Sequence, residues 1–236
     1  CDVLPDQLVH EEASFPLPAG PFKLNKLQAG FYRTRYDATL RPMVFDSLPT
    51  MHEVDVLGII SDTVSVAVAG YESLDTVLDL AAALPAYLGQ EDVSFFAVHP
   101  ALTVEIIPTF ASWADDPEVG PALDAFWKSV VAPLAERHGG WDPVPGEGYS
   151  RTRLRSCTAM VALQVGLEAP LEEARRRYDA YMSGDDAAVP ADLEKLILYS
   201  VLSKAPGTGE KEFKQIRKKY NELKDDTHRG PAVLCA

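Results

Sequence analysis

From about Ala38 onward, apolar residues recur at intervals of three and four, the period of a helix with one buried face. Thr50-Met51-His52-Glu53 has capping-box spacing, and the helix it opens puts Leu57, Ile60, Val64 and Val68 on one face. Helices are also expected near 73–87 and 92–112, the second bent or broken by Pro100 and Pro108. Pro117 opens a helix striped by Val119, Ala122, Leu123, Phe126, Val130 and Leu134, and another is expected near 149–166. Pro170 opens one in which Leu171, Ala174, Tyr178 and Tyr181 line up, with Glu172–Arg176 and Glu173–Arg177 as pairs on the wet side. Leu193, Leu196, Ile197 and Val201 mark the next, and Phe213, Ile216, Tyr220 and Leu223 the last. The pattern predicts a mostly α chain of eight or nine helices with short connections. Helix pairs recur every few tens of residues, as in an α-solenoid of antiparallel pairs, although no residue-level repeat accompanies them.

Residues 1–37 follow a different pattern. They are rich in Pro and Gly up to Pro21, after which Phe22-Lys23-Leu24-Asn25 and Phe31-Tyr32-Arg33-Thr34-Arg35-Tyr36 read as strand candidates separated by Gly30. Two strands make no stable sheet alone, so the segment is expected to be the remnant of a preceding β domain. The helical domain would then run over 38–236 and be cut at its end, where Pro231-Ala232-Val233-Leu234-Cys235-Ala236 reads as the opening of a further helix. The chain also begins on Cys1 rather than Met, as a fragment or processed product does.

The formal charge of −13 argues against nucleic acid or an anionic membrane surface as partner, since both require a cationic footprint. No apolar run is long enough to span a bilayer, and no signal peptide is visible. Cys1, Cys157 and Cys235 are odd in number and widely spaced, with no C-x-x-C, and neither Asn25 nor Asn221 opens a glycosylation sequon. A reducing compartment, the cytoplasm, is the expectation.

The search for chemistry finds decoys. A helix-borne H-E-x-x-H brings two imidazoles to one zinc while its glutamate activates a water. His10-Glu11-Glu12-Ala13-Ser14 and His52-Glu53-Val54-Asp55-Val56 begin correctly, but neither has the second histidine. No other His, Cys, Asp or Glu cluster has ligand spacing, there is no phosphate loop, and no G-x-S-x-G elbow occurs. Gly207-Thr208-Gly209 reads as a turn. Cys157 lies in an apolar helical stretch and reads as a buried structural thiol. Arg175-Arg176-Arg177 reads as a solvated, salt-bridged face. Arg151, Arg153 and Arg155 follow the loop Trp141-Asp142-Pro143-Val144-Pro145-Gly146-Glu147-Gly148 at alternate positions. One of them facing inward would need a carboxylate partner.

Two segments carry a resemblance. Lys23-Leu24-Asn25, followed by Gly30-Phe31-Tyr32-Arg33 and Tyr36, resembles the K-L-N-x-x-x-x-G-F-Y-R-x-x-Y junction of the H-E-x-x-H zinc aminopeptidases. Gly140-Trp141, then Gly146-Glu147-Gly148 and Leu154-Arg155, is similar to the G-W-x-x-x-x-G-E-G…L-R stretch of their puromycin-sensitive branch. Leu171 to Tyr178 also resembles that branch, as does Asp55-x-x-Gly58-x-x-x-Asp62, although Asp55 stands where the family usually has arginine. The resemblance covers roughly residues 22–225 and implies a C-terminal, HEAT-like helical domain attached through a β-sandwich remnant.

The parent implied is a zinc enzyme that removes N-terminal residues from peptides. Its exopeptidase and zinc motifs belong to domains outside this chain, so no catalytic or metal-binding residue is expected here and no cofactor. The partners implied are the catalytic and β-sandwich domains of the parent, together with peptide substrates. The chain would wall the peptide chamber, with Arg155 as a candidate for positioning substrate and Phe31, Tyr32 and Arg33 as candidates at the domain junction. For Arg155 a purely structural pairing, with Glu147 the nearby candidate, stands as the alternative. For the whole chain the alternatives are a free-standing helical scaffold that binds a protein or peptide on its concave face, and a domain of an inactive paralogue.

Overall fold

The computed structural model describes residues 22–203 and 209–223. His10, Cys1, Cys235, residues 204–208 and the helical start read at 231–236 lie outside the described residues. Described residues are mostly helical and include no β-strand. The chain divides into two compact units at Pro117/Glu118.

In the first unit, α1 (Arg41–Asp46), α2 (Glu53–Val68), α3 (Asp75–Leu88) and α4 (Phe95–His99) are followed by a π-helical stretch, Pro100–Ile106, and the single turn α5 (Ile107–Thr109). The core comprises Phe45 and Leu48, Val56, Ile59 and Ile60 of α2, Leu80 and Leu84 of α3, and Val98, Leu102 and Ile106. The bend expected at the two prolines takes the form of a widened turn in a chain that stays helical. Thr103 and Thr109 return their hydroxyls to His99 O at 2.6 Å and Glu105 O at 2.7 Å, which supports the irregular turns.

The second unit contains α6 (Gly120–His138), α7 (Tyr149–Gln164), α8 (Glu168–Met182), α9 (Glu194–Ser203) and α10 (Glu210–Leu223). Tyr178, Tyr181, Leu193, Ile197, Leu198, Val201 and Ile216 form its core, with Trp141 packed against them from the α6–α7 loop.

Four expectations are corrected. The strand candidates at 22–25 and 31–36 form no ladder, because Asn25, Leu27 and Gln28 turn left-handed (φ 55°, 54° and 55°) and hydrogen bonds to α2 replace those of a neighbouring strand. The cap of α2 is His52, whose Nδ1 accepts from Val54 N–H at 3.2 Å, while Thr50 bonds Ser47 O instead. The buried face of α2 is Val56, Ile59, Ile60, Val64 and Ala67, leaving Leu57 half-buried and Val68 exposed. On α6 and α10, Val119 and Phe213 are exposed, and Trp127 and Val131 complete the α6 stripe.

Candidate functional site

Two ionic clamps organise the conspicuous segments of the sequence, one in each unit. In the second unit α6 ends at Gly139, whose amide bonds Ala135 O at 2.9 Å. A Cβ there would stand 2.2 Å from that carbonyl oxygen, so only glycine lets the chain leave the helix on this path. The loop that follows is held from two sides by arginines.

Arg155, on α7, is 5% exposed. Its Nε donates to Glu147 Oε2 at 3.3 Å, Nη1 to Trp141 O at 3.2 Å and Nη2 to Asp192 Oδ2 at 3.4 Å. Thr152 Oγ1 donates to the same Glu147 oxygen at 3.1 Å, and Ser156 Oγ to Asp192 at 2.6 Å. Arg155 thus ties both ends of the Trp141–Gly148 loop to the segment before α9. Of the three alternating arginines it is the one turned inward; Arg151 and Arg153 are exposed, with Arg151 Nη1 3.0 Å from His138 Nδ1.

Arg177, on α8, grips the loop from the other side. Nη1 and Nη2 form a fork on Asp142 Oδ1 and Oδ2 at 2.8 and 2.7 Å, Nε donates to Glu173 at 2.7 Å, and Nη1 also donates to Ala188 O at 3.0 Å. Its guanidinium lies over the Trp141 ring, 5.6 Å from the centroid. Hydrogen bonding from Arg177 holds the Asp142 carboxyl below the usual carboxylate range, and Arg176, then Arg177, do the same for Glu173.

The reading of three solvated arginines therefore holds for Arg176 alone; Arg175 is partly covered and bonds Glu212, and Arg177 is buried. Glu173, not Glu172, is the partner of Arg176. The signal for Arg177 was present: it falls three residues after Ala174 and four before Tyr181, on the buried stripe itself.

In the first unit, residues 22–36 are pinned to α2 by two buried carboxylates. Asp55 accepts from Leu27 N–H at 2.6 Å and lies 3.4 Å from the Lys23 ammonium, whose side chain is 1% exposed. Lys23 Nζ also donates to the carbonyls of Leu24 and Asn25, each at 2.9 Å. Asp62 accepts from Thr34 N–H and Oγ1 at 2.9 and 2.7 Å and from Arg33 Nη1 at 3.2 Å. Asn25 closes the bend, donating to Gly30 O and Tyr32 O and accepting from Gly30 N–H. Of the three junction candidates, Arg33 is engaged in this lock, Tyr32 is mostly exposed, and the Phe31 ring is fully exposed at 110%.

A zinc ion does not fit the described residues. The His52 ring serves the α2 cap, and no group of three or more His, Cys, Asp or Glu among the described residues is placed to hold a metal. Cys157 is a free, buried thiol whose pKa burial pushes up to about 12, which keeps it protonated and unreactive near neutral pH. Among the described residues no helix is long and apolar enough to cross a membrane.

The fold and the clamps define an all-α domain whose conspicuous polar residues hold its own loops. The chain belongs to the ERAP1-like C-terminal domain family, whose model matches residues 21–235. It is 26% identical to Aminopeptidase M1-D of Oryza sativa subsp. japonica over 202 residues, 85% of this chain and 22% of that protein. It is 25% identical to Aminopeptidase M1 of Arabidopsis thaliana, again over 85% of this chain and 22% of the relative. Aminopeptidase 2, mitochondrial, of Saccharomyces cerevisiae is 26% identical over 79% of this chain and 19% of its own length. The chain thus spans about a fifth of the length of these relatives.

Proposed function

We propose that the chain is the helical wall of the peptide chamber in a zinc-dependent aminopeptidase, limiting and positioning peptides without performing the chemistry. The family match over 21–235, with relatives named as aminopeptidases and about five times longer, is the observation that carries this reading. The zinc and the reacting groups belong, on this reading, to the catalytic domain of the parent, in a cytoplasmic enzyme. On this reading the helical domain begins near residue 38, and the segment 22–37, folded onto α2, is the junction to a β-sandwich domain of the parent. The fully exposed Phe31 ring, with Tyr32 beside it, supports a junction in which the preceding domain covers them.

Arg155 acts on substrate, in this proposal, by positioning the Trp141–Gly148 loop on the chamber side. The test is a longer protein that joins this chain to its catalytic domain, compared with its Arg155→Ala variant. Wild type is expected to hydrolyse aminoacyl-arylamides and to lose that activity to a chelator. The variant is expected to lose about tenfold or more in kcat/KM on peptides long enough to reach that loop, free or amidated, while small arylamides change little. A uniform loss on every substrate, accompanied by a lower melting temperature, would reduce Arg155 to a purely structural role. Absence of aminopeptidase turnover in the longer wild-type protein would overturn the whole reading.

A further inference from the structure

The stretch 95–109 is one helical rod, made of α4, the π-helical turns Pro100–Ile106 and α5. Its inner side, with Val98, Leu102 and Ile106, is buried in the core of the first unit. Its outer side is apolar as well. Phe96 is 57% exposed and Val104 60%, Pro108 is exposed, and Phe95 and Pro100 lie half-buried beside them. Between Asp92 and Asp115 the only ionisable side chains are His99 and Glu105, in a chain of which 24% is charged.

Two observations separate this face from an ordinary solvent face. The first is the missing charge. A helix with one side in water carries polar and charged residues there, and one that is apolar all round is covered all round. α10 follows the first rule, with Lys211, Lys214, Arg217 and Lys218 exposed while Ile216 is buried. The rod has the composition of the second kind, with cover on its inner side only. The second observation is alignment. In a regular α-helix, positions eight apart fall about a fifth of a turn out of line. The π turns, closed by i→i+5 bonds, rotate less per residue and bring Val104 back under Phe96, so the exposed apolar positions form one stripe.

We propose that this stripe is the docking face for the catalytic domain of the parent enzyme, which rests on the reading of the chain as one domain of a longer aminopeptidase. The relatives are about five times as long as the stretch they share with this chain, so most of such a polypeptide lies in other domains. On that reading Phe31 and Tyr32 serve the β-sandwich side. Residues 22–36 sit on Asp55 and Asp62, a face of α2 other than the apolar one that meets the rod. An anionic lipid surface does not fit, because no Lys or Arg lies between Asp92 and Asp115. The partner surface is apolar, with a hydrogen-bond donor for Glu105, the one carboxylate of the rod.

Hydroxyl-radical oxidation, read residue by residue by mass spectrometry, tests this on the present chain and on the longer protein that joins it to its catalytic domain. Phe213 on α10, 56% exposed, is the internal standard. In the present chain Phe96 and Phe213 are expected to oxidise alike. In the longer protein Phe96 is expected to fall at least about fivefold relative to Phe213, as a ring at the dry centre of an interface does. The pair Phe96→Asp and Val104→Asp changes exposed side chains, so the present chain is expected to keep its melting temperature. In the longer protein the same pair is expected to restore oxidation of Phe95 towards its level in the present chain, and a Phe95 that stays protected would contradict the stripe. Equal Phe96 oxidation in the two proteins overturns the proposal. So does protection in the present chain that grows with its concentration, as a second copy would give. Arylamide turnover in the same sample separates the two readings. Turnover with Phe96 still oxidised sinks the docking face alone, whereas Phe96 protection without turnover keeps the docking face and removes the aminopeptidase reading.

Discussion

At the scale of single residues, the same chemical group has opposite roles a few positions apart. Arg176 is solvated and pairs with Glu173 at the surface, where water and salt screen most of the attraction. Arg177 is buried, and so is Arg155 together with its partner Glu147; breaking a pair buried on both sides, as Arg155–Glu147 is, costs about 3–5 kcal/mol, because the remaining charge has no water to return to. Asp142 shows how this couples to pH. Arg177 depresses its folded-state pKa, so the pair contributes stability above the unfolded carboxyl value of about 3.9 and loses it as pH falls through the folded value. Because the Asp142 side chain is 70% exposed, the contribution is expected to be small, about 0.5–1 kcal/mol at neutral pH. Urea titrations across the acid range are expected to show Asp142→Asn less stable than wild type at neutral pH and converging with it in acid. Parallel curves at all pH values would show that the pair is not what Asp142 contributes.

At the scale of elements, α2 is both a core helix and the seat of the N-terminal segment. Its apolar face meets α3, α4 and the π-helical stretch, and Asp55, Gly58 and Asp62 receive residues 22–36. Gly58 illustrates the conflict between local propensity and packing. Glycine inside a helix costs about 1 kcal/mol relative to alanine, so Gly58→Ala would stabilise an isolated α2. Here a Cβ would stand 1.4 Å from Gln28 Nε2 and 2.5 Å from its Cδ, displacing a side chain that accepts from Asn25 Nδ2 at 2.8 Å. Gly58→Ala is therefore expected to stabilise the protein by less than the gain of about 1 kcal/mol it would give an isolated helix, because the Gln28 side chain has to move aside. Gly58→Ala combined with Gln28→Gly is expected to be more stable than Gly58→Ala alone, since Gln28 itself sits at φ 55°. A double-mutant cycle read by chemical denaturation measures this coupling, and additive effects would refute the contact.

At the scale of the molecule, the chain forms two units that meet at Pro117/Glu118, in a stretch where 111–119 are all exposed. The aspartates of α2 that face residues 22–36 are buried, whereas Asp115 and Asp116 are open to solvent. An Asp-specific endoproteinase under native conditions is expected to cut first at Asp115 or Asp116. The two fragments are expected to keep helical circular dichroism, because each unit has its own buried core. Early cleavage inside α2 or α8, or loss of helicity on cutting, would contradict two separate units. The division was not legible in the hydrophobic pattern. Helical periodicity continues on both sides of Pro117, and nothing in a period states which helices share a core.

The sequence by itself determined the helices. Stripes at three- and four-residue spacing placed α3, α6, α7, α8, α9 and α10 within a few residues, because the periodicity of burial is a local property of the chain. It also marked Lys23-Leu24-Asn25, Asp55-x-x-Gly58-x-x-x-Asp62 and the Trp141–Gly148 loop as distinctive. Only the tertiary structure decided what those residues do. Lys23 and Asp55 are 32 positions apart, as follows from their numbers, and Asp142 and Arg177 are 35 apart. Which distant charges meet depends on how the helices pack, and burial then sets whether a meeting is worth little or several kcal/mol. The same reason explains the failure of the strand reading at 22–36. An extended, aromatic-rich segment has backbone groups to satisfy, and the partner that satisfies them is chosen by the fold, here the carboxylates of α2 in place of another strand.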